Sequence, residues 1–152
     1  MCNVRDQKVV VVVDCSKTSC KILEVCLSRA GFRVLTFADE RQAYKNLIDC
    51  FDPPALFLIE VNLPEMSGYQ LAKLFRAHPK LSAVPILFLS RRTGVVDRLK
   101  ALLAGGAGLI PKPLIVQDIV ATVQENIHAA DLPTEHMPKI GDDASSASEE
   151  TE

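Results

Sequence analysis

Apolar residues arrive along this chain in two alternating rhythms. The first is a short unbroken run: Lys8 to Val13 is almost wholly β-branched, as a central strand buried on both faces would be. The second is helical. After Ser16, a good N-cap, Leu23, Cys26, Leu27 and Ala30 fall on one face and Gly31 closes the helix. Arg33 to Phe37 predicts a second strand, and Asp39 can cap a second helix with Ala43, Tyr44, Leu47 and Phe51 inward. Asp52-Pro53-Pro54 stops it before an apolar strand that starts at Leu56 and ends in Glu60. Asn62-Leu63-Pro64 and Ser67-Gly68 then force a turn.

The alternation continues to the end of the patterned region. Leu71, Leu74, Phe75 and His78 mark a third helix stopped by Pro79, and Pro85 to Leu89 a fourth strand ending at Ser90. Val95, Leu99, Leu102 and Leu103 mark a fourth helix, stopped by Gly105-Gly106. Ala107 to Ile110 predicts a last strand ending at Pro111-Lys112-Pro113, and Ile115, Ile119, Val123 and Ile127 stripe a final helix. Five strands alternating with five helices predict parallel strands joined by crossover helices. The expected fold class is therefore α/β, a doubly wound five-stranded parallel sheet with helices on both faces.

Composition changes this picture at the ends. Of 152 residues, 48% are hydrophobic and 24% charged, which suits one globular domain. Residues 131–152 hold seven acids against Lys139, a net of −6, and leave +4 on the rest of the chain. That stretch has few large apolar residues, so it cannot offset its ordering entropy, and a disordered acidic tail is expected over 131–152. Residues 1–7 read as an N-terminal extension and 8–130 as the domain. No apolar run approaches the ~20 residues of a membrane span, and no signal peptide precedes Val9, so a cytoplasmic protein is expected. The five cysteines (Cys2, Cys15, Cys20, Cys26, Cys50) form no C-x-x-C pair and read as reduced thiols, not a zinc site.

Candidate chemistry gathers at the strand ends. In a parallel sheet, Asp14 with Cys15, Glu60, Ser90 and Lys112 all fall on one edge, where ligands collect in such folds. Two carboxylates, a hydroxyl and an ammonium suit a phosphoryl group: a carboxylate can attack phosphorus, oxygens can hold a hard cation, and lysine with a hydroxyl can bind the transferred oxygens. Asp14, Glu60 and Asn62 are the candidate metal ligands. Gly105-Gly106-Ala107-Gly108 precedes a strand and is not a dinucleotide loop. His78, His128 and His136 lie at helix ends or in the tail and read as incidental.

These motifs in this order resemble the receiver domain of bacterial two-component response regulators, the single-domain chemotaxis type with flavodoxin-like topology, over roughly residues 8–128. Val-Val-Val-Asp14 resembles the family's first strand, Ile59-Glu60-Val61-Asn62-Leu63-Pro64-Glu65-Met66-Ser67-Gly68 its phosphoacceptor strand and loop, Leu89-Ser90 its switch hydroxyl, and Pro111-Lys112-Pro113 its Lys-Pro. The resemblance implies Glu60 in the phosphoacceptor position, Asp14 and Cys15 in the acidic pocket, and Leu109 at the switch-aromatic position. It also exposes departures. Glutamate replaces the family's aspartate and carries its carboxylate about 1.5 Å further, a misplacement that can cost about 100-fold in rate. A thiol replaces a hard oxygen ligand at Cys15, Arg91 stands at the crevice entrance where the family has a small residue and reads with Arg92 as a solvated pair, and an aliphatic residue occupies the aromatic position at Leu109.

The expected function is accordingly a stand-alone atypical receiver, not an enzyme. It would act as a phosphorylation-independent protein-interaction module, with no cofactor and poor Mg²⁺ binding. Partners would be a histidine kinase or another signalling protein, through the face of the fourth helix, fifth strand and fifth helix near Val95, Val96 and Leu109. No nucleic acid or membrane partner is expected. An ordinary Mg²⁺-dependent, phosphorylatable regulator is the first alternative. A small α/β enzyme or flavin-type binder is the second, disfavoured by the lack of a phosphate loop and of Trp.

Overall fold

The computed structural model describes residues 7–49 and 52–131. Ten elements alternate without exception: β1 (Val9–Val13), α1 (Lys17–Arg29), β2 (Arg33–Phe37), α2 (Glu40–Ile48), β3 (Leu56–Glu60), α3 (Gly68–Ala77), β4 (Ile86–Ser90), α4 (Val95–Leu103), β5 (Gly108–Pro111) and α5 (Val116–Asp131). The strands form one all-parallel sheet in the order β2-β1-β3-β4-β5. The fold is the doubly wound α/β fold of the flavodoxin-like type. The expected inward Phe51, the extension before Gln7 and the acidic tail after Asp131 lie outside the described residues; Asp131 itself ends α5.

Strand alternation divides the core in two. Val11, Val13, Phe57, Ile59, Ile86 and Phe88 point to the layer made by α2, α3 and α4. Val10, Val12, Leu56, Leu58, Leu87 and Leu89 point to α1 and α5, where Leu23, Leu27, Ile119 and Val123 meet them. Every residue of β3 and β4 is buried, which explains why both read as continuous apolar runs.

Local signals place the helix starts. Ser16 accepts from the Ser19 amide, Asp39 from Arg41, and Ser67 with Gln70 forms a full capping box on α3. Gly31 has a φ of 98°, the left-handed conformation a helix stop favours.

Three inward assignments are corrected. Leu74 on α3 is exposed, and Ile115 lies before α5 begins and is exposed too. On α4 the whole apolar stripe faces outward: Val95 is 84% exposed, Leu103 74%, Val96 63%, Leu102 61% and Leu99 53%. Ala101 and Ala104 face the core in their place, where the α4–β5 connection lies tight on Phe88: a Cβ on Gly106 would sit 2.5 Å from its ring and 2.9 Å from the Ala101 carbonyl oxygen. Only small side chains fit that seam.

Candidate functional site

The C-terminal edge of the sheet is built by the ends of β1, β3, β4 and the turn after β5. Asp14 follows β1 directly, and its buried carboxylate is held on both oxygens: the Ser16 amide donates to Oδ1 at 2.9 Å and Lys112 Nζ to Oδ2 at 2.7 Å. Glu60, the last residue of β3, is 6% exposed. Its Oε2 lies 2.7 Å from Lys112 Nζ, and its Oε1 accepts from the Asn62 amide at 3.4 Å. The contact to Lys112 is an ion pair without hydrogen-bond direction, since Oε2 has no aligned donor among the described residues. One ammonium thus bridges two carboxylates.

Burial alone would push the Lys112 ammonium toward neutrality. The hydrogen bond to Asp14 and the charges of Asp14 and Glu60 together outweigh that, and its pKa lies above the ordinary lysine value. The Lys112-Pro113 peptide bond is cis.

Backbone packing fixes where Glu60 sits. The Gly68 amide donates to the Val61 carbonyl at 2.8 Å, and a Cβ on Gly68 would lie 2.2 Å from the Glu60 carbonyl oxygen. The start of α3 therefore rests against the end of β3 at a distance only glycine allows.

Ser90 is buried at the end of β4, and its Oγ accepts from the Arg92 amide at 3.0 Å. Arg91 is exposed, as a solvated arginine would be, lines a cavity with Lys112 and Ser16, and makes no ion pair among the described residues. Cys15 is exposed and Asn62 lies on the surface of the β3–α3 loop. Leu109 is half-buried on β5 and packs on the α2/α3/α4 side of the core. Tyr69 stands in that region, edge-on to Phe88 at 4.9 Å with its hydroxyl 3.4 Å from the Asp97 carbonyl.

Two residues here carry no motif in the sequence. Glu40, in the first turn of α2, is buried, and its Oε1 accepts from the Glu65 amide at 2.8 Å, while Oε2 lacks a partner among the described residues. Together with the exposed Arg41–Glu65 ion pair it ties the β3–α3 loop to α2. Cys20 sits on the first turns of α1 with Sγ 3.2 Å from the Asp14 carbonyl oxygen, and burial, then the Asp14 charge, pushes its thiol pKa up. The only available signal for either was its offset from a helix cap.

Both carboxylates face the Lys112 ammonium at 2.7 Å, and the side chain next to Asp14 is the soft thiol of Cys15, not the oxygen a hard divalent cation prefers.

An open parallel α/β sheet with acids at the ends of β1 and β3 and a lysine after β5 is the arrangement that the resemblance to receiver domains implies, and comparison with known proteins supports the family. Residues 10–124 match the response regulator receiver domain family, and the chain belongs to it. The transcriptional regulatory protein GltR of Pseudomonas aeruginosa is 30% identical over 80% of this chain and 49% of its own length. Protein PilG of the same organism is 25% identical over 78% of this chain and 86% of its own length. The chemotaxis response regulator CheY4 of Vibrio cholerae superposes with a TM-score of 0.74 at 26% identity, covering 79% of this chain and 98% of that one. The chain spans about half the length of GltR and of YrkP from Bacillus subtilis. Among the described residues no helix is long and apolar enough to cross a membrane.

Proposed function

We propose that this receiver domain works without phosphoryl transfer, as a protein-interaction module whose phosphoacceptor position is filled by Glu60. The observation that carries the reading is the 2.7 Å ion pair between Glu60 Oε2 and Lys112. The carboxylate already occupies the lysine that a transferred phosphoryl group would need. It supplies one negative charge where a phosphoryl group supplies nearly two, so it mimics the modified state in part. Mg²⁺ is held weakly, because Cys15 leaves the site a hard ligand short and Lys112 competes for both carboxylates.

The partner surface is the face of α4, β5 and α5, where Val95, Val96, Leu99, Leu102 and Leu103 stand exposed. A histidine kinase or another signalling protein is the partner class. Charge reversal at the exposed Arg98 and Lys100 is expected to weaken that interaction; an unchanged affinity would point to another face.

Incubation with acetyl phosphate and Mg²⁺, followed by intact mass, tests the central claim. The unaltered protein and Glu60→Asp are both expected to remain unmodified, and Cys15→Asp to gain Mg²⁺ binding only. The double variant is expected to take up one phosphoryl group, with Arg91→Ala as a further aid to entry. Two groups serving one metal-bound transition state give strong non-additivity. Phosphorylation of the unaltered chain on Glu60, or full rescue by Glu60→Asp alone, would refute the reading.

A further inference from the structure

Cys15 and Cys20 carry chemistry that the carboxylate–ammonium cluster does not use. Ser16 is the N-cap of α1, which makes Cys15 the residue before the cap and Cys20 the fourth residue of the helix. Side chains at those two positions meet across the first turn; in many helices they form a hydrophobic staple. Here both are thiols. They line one cavity of about 260 Å³ together with Asp14, Lys17, Lys21 and Glu24, and both are free. Cys20 Sγ is fixed by its contact with the Asp14 carbonyl at 3.2 Å, one residue along the chain from Cys15. Cys15 is exposed, so small oxidants reach it. Cys26 is buried further along α1, against the α5 side of the core, and does not compete.

We propose that Cys15 and Cys20 are a peroxide-responsive dithiol that closes to a disulfide across the first turn of α1. The Cys15 thiolate attacks one oxygen of hydrogen peroxide: an S–O bond forms, the O–O bond breaks, and the departing hydroxide takes a proton to become water. Cys20 then loses its proton and its sulfur attacks Cys15 Sγ; the S–S bond forms, the S–O bond breaks, and a second water leaves. Two thiols are oxidised and one peroxide is reduced. Closure removes the Cys20 contact with the Asp14 carbonyl, so the backbone beside the carboxylate held by Lys112 registers the redox state.

The full chain, with all five cysteines, is treated with hydrogen peroxide, alkylated under denaturing conditions and digested with trypsin. Cleavage after Lys8, Lys17 and Lys21 separates the two thiols, so the disulfide appears as Val9–Lys17 joined to Thr18–Lys21. The expected result is this joined pair, with alkylation lost at Cys15 and Cys20 together and restored at both by dithiothreitol. In Cys15→Ser, which alters an exposed side chain, Cys20 is expected to stay fully alkylated; in Cys20→Ser, Cys15 is expected to pass on to the sulfinic acid. The proposal is overturned if Cys15 is oxidised while Cys20 stays alkylatable in the unaltered chain, or if Cys15 pairs with Cys2 or Cys50. Full alkylation of both after peroxide overturns it as well.

Discussion

Lys112 is the residue on which the sheet edge depends. Its side chain is about one-tenth exposed, and removing its charge leaves Asp14 and Glu60 buried without a counter-ion. Breaking a buried pair from one side typically costs about 3–5 kcal/mol, so Lys112→Met should lower urea stability by that order. Loss of less than about 1 kcal/mol would mean that water already solvates both acids. The same group predicts a pH dependence. Its folded pKa is raised above the ordinary 10.5, because Asp14 and Glu60 outweigh the opposing effect of burial. Its stabilising contribution is therefore full below about pH 10.5 and is lost as pH rises through the folded value. Stability should fall more steeply in that alkaline window for the unaltered protein than for Lys112→Met, and parallel curves would contradict the assignment. Gly68→Ala tests the backbone contact: a Cβ 2.2 Å from the Glu60 carbonyl must push α3 away from β3. A cost of about 1–3 kcal/mol is expected in the same denaturation measurement.

At the scale of elements, α4 is the outlier. It rests on the core through Ala101 and Ala104 while its five larger apolar residues face outward. Leu102→Ser and Leu103→Ser should each change stability by no more than about 0.5 kcal/mol, whereas Ala101→Leu should overpack the seam and cost about 1–3 kcal/mol. The contrast also measures what the sequence made legible. Unbroken apolar runs placed β1, β3 and β4, since a strand covered on both faces has no other pattern, the strand–helix alternation placed the less buried β2 and β5, and caps at Ser16 and Asp39 placed two helix starts, whereas Ser67 read only as part of a turn. Periodicity found α4 but not its orientation. A stripe of Val and Leu announces that a face will be covered; it does not say whether the covering comes from the same chain, and an alanine seam is quiet beside it. At the edge, the convergence of Asp14, Glu60, Ser90 and Lys112 follows from parallel topology alone. The pairing of Cys15 with Cys20 and the buried Glu40 needed the turn geometry of α1 and the path of the β3–α3 loop.

For the molecule as a whole, two helical layers hold one sheet, and their packing is unequal. The amides of β1, β3 and β4, which are covered on both faces, should exchange slowest with deuterated water, and those of α4 should be among the fastest of the helices. Uniform protection across the helices would show that α4 is anchored by more than its alanines. The long reach of the Lys112 contact has a further consequence for the order of assembly. Asp14 and Glu60 end paired strands, and each becomes available as soon as β1 and β3 meet, but the ammonium that reconciles them stands 98 residues after Asp14. A nascent sheet that lacks β5 therefore presents two like charges to each other at its rim, and tightening it before the last strand docks is opposed by their repulsion. The lysine rewards completion: the partly made domain stays loose at its reactive edge, and it locks only when the far end of the fold has been laid in place.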